Sequence, residues 1–296
     1  MLTGVLAGLG AGALWGLVFV MPRMVTGFLA VDLAAGRFAA YGALAAVIML
    51  LSWRSRRWPT WRQAGAVLGL SLLGFSGYYL LLVMAIQDAG TPVPTLIIGT
   101  IPLWVMLLGK PAALRWRGLL PGLLLTAAGL ALMMGAVQAD IRAQGGDFGR
   151  GVALATLAMC SWTAFTLLNS ACLKRHSDVN ATDWANWLGL ATGVGALVMW
   201  LSAGSDVQTL VVQDDRSLFV LLCIGTGFGS AWLATIWWNI ASQRLSASLC
   251  GQLIVSETIF ALLYSFAWDG QWPSLAQSAA CVLFALGILV SIKAHA

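Results

Sequence analysis

Long apolar runs recur along the entire chain, and they constrain its fold more than any other feature. Each run is long enough to cross the hydrocarbon core of a bilayer, which is about 30 Å thick and needs roughly 20 helical residues. The runs lack the period-2 alternation of a membrane barrel, so we predict an all-α integral membrane protein with ten transmembrane helices. These predicted spans 1 to 10 cover residues 2–21, 34–53, 64–86, 92–109, 118–137, 150–171, 184–203, 217–240, 246–266 and 274–293.

The composition agrees with a location in lipid. Of the 296 residues, 60% are hydrophobic and 9% are charged, whereas soluble domains carry about 25% charged residues. So few charges cannot cover a water-exposed surface of this size. The net charge of +5 does not indicate nucleic-acid binding, because the basic residues stand in short loops between the spans.

The distribution of Lys and Arg predicts the orientation, because cytoplasmic loops are enriched in these residues. Of the 16 basic residues, 11 fall on one side of the predicted spans and 5 on the other, and most acidic residues lie on the side with fewer bases. We therefore expect a multi-pass protein of the plasma (inner) membrane with both termini in the cytoplasm.

The two halves of the chain resemble each other. GVLAGLGAGALWGLVF at 4–19 aligns without gaps on GVALATLAMCSWTAFT at 151–166, which pairs Trp15 with Trp162. Residues 95–104 fall on 252–261, and the pair 74–75 falls on 227–228. A unit of five spans, an odd number, must enter the membrane from the opposite side in its second copy. This predicts two inverted five-helix repeats around a central cavity, with the substrate near the midplane. The predicted units are residues 1–140 and 150–296, and a loop at 141–149 connects them.

These segments resemble the drug/metabolite transporter superfamily in its EamA-like branch. The resemblance is carried by GAGALWGLVF in span 1, TPVPTLIIGTIPLWVMLLG in span 4 and SLAQSAACVLFALGILVSI in span 10. Within the superfamily the chain looks most like the YddG-type exporters of aromatic amino acids. The resemblance implies ten helices, cytoplasmic termini and a cavity formed mainly by spans 1, 3, 4, 6, 8 and 9. The chain departs from the family pattern in span 9, which reads IVSETIF where relatives commonly carry a proline.

Glu257 is the one carboxylate well inside a predicted span. An ionised group is costly in hydrocarbon, so such a residue normally faces a cavity or a partner. We expect it to contact the ammonium group of a substrate or to couple protons to transport; a protonated packing residue is the alternative. Its counterpart in the repeat, Thr100, is polar as well, which suggests that both face inward.

Aromatic rings and amides inside the spans are further candidates for substrate binding. Rings that line a pocket stack on an aromatic ligand, and a few polar groups fix its orientation. The alternative is that several of them pack between helices or face lipid. Adjacent residues point about 100° apart on a helix, so at most one of Trp237 and Trp238 should face the cavity. The candidates are Trp15, Tyr78, Tyr79, Trp162, Trp237, Trp238, Asn239 and Gln252.

Span 4 contains a candidate hinge. Pro102 stands three residues after Gly99, and a proline bends a helix and leaves one carbonyl without its helical partner. Such freed groups occur at membrane depth where they line a cavity or are buried in protein. Gly99 and Pro102 are therefore either a conformational hinge or a purely structural bend.

Two further features of the early spans have a structural and a functional interpretation. Glycines spaced at i+4 along span 1 form a bare surface that favours close helix packing, or sliding during a conformational change. Arg37, near the outer end of span 2, should snorkel to the interface, and attraction of a carboxylate is the less favoured role. The glycines are Gly4, Gly8, Gly12 and Gly16.

Several functional classes lack support in the sequence. There is no phosphate-binding loop, no HExxH zinc motif and no TVGYG-like ion filter. We expect a transporter without cofactor or metal, not an enzyme, whose partners are a small-molecule substrate and membrane lipids; the oligomeric state is left open. The favoured function is the export of small amphipathic metabolites, chiefly aromatic and other hydrophobic amino acids. The alternatives are efflux of cationic drugs, a membrane-embedded lipid-modifying enzyme, and a scaffold.

Overall fold

A computed structural model describes residues 1–25, 27–90, 92–137, 147–270 and 272–295, which form helices and short connections without a strand among them. A 3₁₀ turn (Leu17–Phe19) follows the first helix, and a π-helix (Gly227–Leu233) joins the twelfth to the thirteenth. The helices are α1 (Leu2–Gly16), α2 (Met21–Met24), α3 (Ala30–Leu51), α4 (Trp61–Gly74), α5 (Ser76–Ala89), α6 (Pro92–Gly99), α7 (Ile101–Leu108), α8 (Trp116–Val137), α9 (Phe148–Arg175), α10 (Ala181–Ala203), α11 (Val207–Val212), α12 (Arg216–Thr226), α13 (Ala234–Arg244), α14 (Ala247–Asp269) and α15 (Leu275–His295).

Within the described ranges, nine helical segments are long and apolar enough to cross a membrane. They coincide with predicted spans 1–3 and 5–10. The apolar segment at span 4, Val93–Leu108, is shorter, so its crossing of the membrane stays a prediction. The nine segments are Leu2–Phe19, Ala30–Leu51, Trp61–Ala89, Trp116–Met134, Phe148–Arg175, Ala181–Ala203, Arg216–Arg244, Ala247–Trp268 and Leu275–His295.

Side-chain caps explain where several of these helices begin. A cap oxygen accepts a hydrogen bond from one of the free backbone N–H groups in the first helical turn. Ser246 caps α14 in this way through the N–H of Leu249, at 3.1 Å. Asp147 caps α9 through the N–H of Arg150, at 3.1 Å.

The predicted connecting loop at 141–149 overlaps the start of α9. Residues 138–146 lie outside the described residues. Because the Asp147 cap begins α9 at Phe148, the last two residues of the predicted loop are helical. The division into units of residues 1–140 and 150–296 stays a prediction.

The two halves of the chain interlock through their first long helices. The helix α1 packs against α13 and α14 of the second half, while α9 packs against α4, α5, α6 and α7 of the first half. Between the halves, α3 also packs along α10, α8 along α15, and α7 against α14. The glycine surface of α1 serves this packing: a methyl group on Gly16 would lie 2.8 Å from the backbone nitrogen of Ala261.

Three of the apolar segments are irregular inside the bundle. Span 3 breaks at Phe75, between α4 and α5, where the backbone has φ −128° and ψ −94°. Span 4 breaks at Thr100, between α6 and α7. Span 8 contains the π-helix Gly227–Leu233, and π turns inside α-helices are frequent at functional sites.

Candidate functional site

Three tryptophans from both halves of the chain meet inside the bundle. The ring of Trp15 on α1 lies 5.2 Å from that of Trp238 on α13 and 6.2 Å from that of Trp162 on α9. The Trp162 and Trp238 rings are 6.3 Å apart, so all three are in mutual contact. Trp238 is 1% exposed, whereas Trp15 and Trp162 are partly exposed. We call these three rings the tryptophan cluster.

The neighbouring ring, Trp237, points elsewhere. It lies against Gly10 of α1, where a methyl group would come within 2.7 Å of the indole. It also packs against Ala181 and Ala185 at the start of α10. Of the two adjacent tryptophans of α13, only Trp238 therefore belongs to the cluster.

Glu257 lies near the middle of α14, at a change in burial. Residues 248–256 of this helix are buried all round, and from Glu257 to Phe260 the side chains are partly exposed. The backbone there is close to α1, because a methyl group on Gly12 would lie 3.0 Å from the nitrogen of Glu257. The carboxylate of Glu257 is within electrostatic range of Arg37 of α3.

Arg37 is partly buried about two turns into α3. Its guanidinium carbon lies 4.6 Å from the centre of the Phe38 ring and 6.0 Å from that of Tyr79, in cation–π contact. The Nε atom is buried and has no hydrogen-bond partner among the described residues. The side chain thus stays among aromatic rings, which differs from the expected snorkelling to the interface.

The two tyrosines of α5 border this arginine. The Tyr79 hydroxyl donates to the carbonyl of Ala30 at 3.4 Å, and its ring meets Phe38 edge to face at 6.2 Å. Tyr78 is within electrostatic range of both Glu257 and Arg37. Tyr79 thus lies against Arg37, and Tyr78 and Glu257 are within electrostatic range of it. We call these four residues the arginine cluster.

Thr100 marks the break in span 4. Its hydroxyl donates to the carbonyl of Ile97 at 2.7 Å and contacts the sulfur of Met159 at 3.2 Å. Gly99 is the last residue of α6, and Pro102 is buried in the first turn of α7. Both candidate hinge residues therefore flank a break in the helix, which is a geometry that a hinge requires.

Asn239 is fully buried and its hydrogen bonds are internal. Its Oδ1 accepts from the Nδ2 of Asn169 at 3.1 Å, and its Nδ2 donates to the carbonyl of Ala181 at 3.4 Å. Asn169 in turn accepts from the indole N–H of Trp184 at 2.9 Å. This network joins α9, α10 and α13, so the geometry favours a structural role for Asn239.

Gln252 is engaged in the same way on α14. Its Nε2 donates to the Thr126 hydroxyl at 2.9 Å, and its Oε1 accepts from the Ser291 hydroxyl at 3.1 Å. All three side chains are buried. The contacts join α14 to α8 and α15, so the geometry favours a structural role for Gln252 as well. Contact between Gln252 and a substrate stays a prediction.

Ion pairs and hydrogen bonds join the loops at both ends of α3. At one end Arg56 pairs with Asp183 at 2.9 Å, and Arg57 pairs with Asp178. The hydrogen bond from Arg57 holds the pKa of the Asp178 carboxyl below its usual range. At the other end Asp32 accepts from the backbone N–H of Ser205 at 2.8 Å.

Arg37 and Asn169 are two of the polar residues whose place in the interior the sequence interpretation missed. Arg37 stands close enough to the end of its apolar run to suggest an interfacial position. The sequence features that could have placed Arg37 in the interior are Phe38, which follows it, and Tyr78 and Tyr79 in span 3. Asn169 lies near the end of predicted span 6, at 150–171, and its buried amide needs a partner because hydrocarbon offers none.

Comparisons with known proteins identify the family. No family model matches the chain. The inner membrane protein YtfF of Escherichia coli (strain K12) is 31% identical over 309 residues, which cover 99% of this chain and 96% of YtfF. A solved crystal structure superposes with a TM-score of 0.76 at 20% identity over 99% of this chain and 98% of that one, which shows a shared fold. The chain is thus a multi-pass inner membrane protein that belongs to the family of YtfF, in the EamA-like branch of the drug/metabolite transporter superfamily.

Proposed function

We propose that the protein is a secondary transporter or facilitator that exports small amphipathic metabolites by alternating access. Its main substrates are aromatic and other hydrophobic amino acids, as for the YddG-type exporters that the sequence resembles. Family membership supports transport. The observation that carries the substrate class is the carboxylate of Glu257 inside the bundle, within electrostatic range of the Arg37 guanidinium. A site with one anion and one cation among aromatic rings matches an amino acid.

The inverted repeat is part of this proposal, and paired glycines support it. A methyl group on Gly4 would lie 2.9 Å from Leu245, just beyond the end of α13. A methyl group on its counterpart Gly151 would lie 2.8 Å from the nitrogen of Ala89, at the end of α5. Equivalent residues of spans 1 and 6 therefore approach the ends of spans 8 and 3, as two-fold related halves require.

Helix irregularities at paired positions support the same symmetry. The pair 74–75 lies at the break between α4 and α5, and its counterpart 227–228 opens the π-helix. In the proposed architecture each half contributes five spans. This arrangement gives ten transmembrane helices and, with the basic loops inside, two cytoplasmic termini.

Within the proposed site, each predicted residue has a role that its surroundings suit. The partly exposed Trp15 and Trp162 stack on the substrate side chain, and the buried Trp238 packs against both rings. Glu257 binds the ammonium group. Tyr78, Tyr79 and Thr100 border the site, Gly99 and Pro102 form the hinge of span 4, and Trp237, Asn239 and Gln252 hold the helices together.

The burial pattern of α14 suits a transporter that is closed on one side. Residues 248–256 of α14 are buried, whereas most residues of the helix from Glu257 onward are partly or fully exposed. In the proposed orientation the buried half faces the cytoplasm, which is the side on which this conformation packs α14 on all faces. Transport requires the opposite arrangement as well, in which the inner half separates.

Efflux of cationic drugs is the second candidate function. A glutamate inside the bundle, near aromatic rings, also suits an organic cation. Arg37 weighs against it, because a second positive charge near the site repels a cation and is left without an anion. A lipid-modifying enzyme would form a covalent product, and a scaffold would show no ligand-dependent stabilisation.

The decisive experiment is counterflow in proteoliposomes. Liposomes are preloaded with unlabelled phenylalanine, and uptake of labelled phenylalanine is followed for wild type and Glu257→Gln, with the exposed Asp214→Asn as matched control. We expect saturable uptake in wild type and in the control, and its loss in Glu257→Gln. Uptake no greater than in empty liposomes would overturn the amino-acid proposal. Normal uptake by Glu257→Gln would remove Glu257 from the binding site.

A further inference from the structure

We infer that Arg37 binds the carboxylate of the substrate, opposite the ammonium group at Glu257, so that the site selects zwitterionic amino acids over the corresponding amines. This inference rests on the proposed function and adds the residue that reads the acid group. It draws on three observations about Arg37: its burial without a full set of partners, the cavity beside it, and its electrostatic link to Glu257.

The guanidinium of Arg37 has donors to spare. Arg carries five N–H donors in a planar fork that matches the two oxygens of a carboxylate. In this protein its faces contact Phe38 and Tyr79, and its buried Nε has no partner among the described residues. A cation inside a transmembrane helix is costly and usually marks a substrate pathway or an ion pair. Arg37 is thus ready to receive an anion.

A small cavity is lined in part by Arg37. Its volume is about 30 Å³, which is space for a group of the size of one or two water molecules. The space suits a carboxylate and is too small for a whole amino acid, whose side chain would extend toward the tryptophan cluster. The cavity lies between α1–α2, α3 and α5, and its lining residues are Val18, Met21, Ala30, Leu33, Ala34, Arg37 and Tyr79.

The electrostatic link between Arg37 and Glu257 sets the selectivity. An amino acid brings one charge of each sign, so both side chains gain a partner when it binds. A decarboxylated amine satisfies Glu257 and leaves Arg37 unpaired near a positive ligand. Sites that hydrogen-bond a ligand group reject analogues that lack it, because buried polar groups then lose their partner.

A purely structural ion pair is the competing explanation, and a double variant separates the two. If Arg37 and Glu257 only neutralise each other, removing both charges should restore both stability and transport. If they bind the two charged groups of the substrate, Arg37→Gln with Glu257→Gln should recover the melting temperature of the wild type while phenylalanine uptake stays lost.

The test uses the full chain in proteoliposomes and competition by 2-phenylethylamine, the amine that lacks the carboxylate of phenylalanine. For Arg37→Gln we expect the half-saturating concentration of phenylalanine to rise by about tenfold or more, with inhibition by the amine unchanged or stronger. Arg37→Lys keeps the positive charge but lacks the planar fork of donors, so its half-saturating concentration should lie between those of wild type and Arg37→Gln. Arg62→Gln, which removes an exposed arginine at the start of α4, should match wild type.

Three results would overturn the inference. The first is an unchanged half-saturating concentration in Arg37→Gln, the second an equal loss of affinity for acid and amine, and the third recovery of transport in the double variant. If Arg37→Gln does not fold, Arg37→Lys carries the same comparison. If wild type and the Arg37 variants take up phenylalanine equally well, this inference fails and the proposed function stands. If wild type takes up no phenylalanine, the proposed function and this inference both fail.

Discussion

The rings of Trp15 and Trp162 meet edge to face, with centroids 6.2 Å apart and planes at 79°. This arrangement is attractive because the positive edge of one ring faces the negative face of the other. It joins the first long helix of each half at a point where Trp238 contacts both rings. The contact places residues from 1–140 and 150–296 in one cluster.

The tryptophan cluster should contribute strongly to stability. Trp238→Ala removes a ring that is 1% exposed, and we expect a loss of about 3 kcal/mol, because lost packing dominates between helices in lipid. The measurement is chemical unfolding in detergent. Trp104→Ala, at a ring that is 44% exposed, is the matched control and should change stability little. Equal losses in both variants would contradict this packing role.

The crossing of α3 and α10 depends on two glycines. A methyl group on Gly42 would lie 2.5 Å from the Cα of Gly193, and neither backbone can move without separating the helices. We expect Gly42→Ala to cost about 2 kcal/mol, read as a lower melting temperature. Gly69→Ala on α4 meets nothing within 4 Å and should leave stability unchanged or raise it by up to about 1 kcal/mol. An unchanged melting temperature in Gly42→Ala would mean that α3 and α10 pack less closely than the structure shows.

Gln252 should act on stability and not on substrate affinity. Gln252→Leu leaves the buried hydroxyls of Thr126 and Ser291 without this partner, which costs about 1–3 kcal/mol. We expect unfolding at lower denaturant with an unchanged half-saturating concentration of phenylalanine. The exposed Gln208→Leu serves as control. If Gln252→Leu weakens phenylalanine binding and spares stability, Gln252 contacts the substrate and the structural interpretation is wrong.

The ion pair between Arg57 and Asp178 should make stability depend on pH. Because the pKa of Asp178 is lower in the folded protein, the stabilisation is present above the ordinary carboxyl pKa of about 3.9 and is lost as pH falls through the lower folded value. We expect the melting temperature of wild type to exceed that of Asp178→Asn at pH 7, and the two melting temperatures to become equal in acid. Asp214→Asn, at an exposed residue of another loop, should show no such difference. A gap that persists in acid would assign the effect to something other than this carboxylate.

Amino-acid sequence alone predicted the nine long apolar helices, because a chain must satisfy its backbone hydrogen bonds inside lipid and a helix does so locally. It also singled out Glu257, because a carboxylate in an apolar run is visible without any knowledge of neighbours. The repeat pairing of Trp15 with Trp162 likewise came from residue order. Each of these depends on local chemistry or on spacing along the chain.

Only the tertiary structure decided which side chains meet. It brought Trp238 and not Trp237 to the cluster, bound Asn239 and Gln252 into internal networks, and placed Arg37 against Phe38 and Tyr79. The direction of a side chain around its helix is read against neighbouring helices, and the packing of α1, α3, α9, α13 and α14 sets those neighbours. The sequence of an apolar run does not show which of its helix faces is buried. Residue order could therefore nominate these side chains but could not decide which of them contact one another.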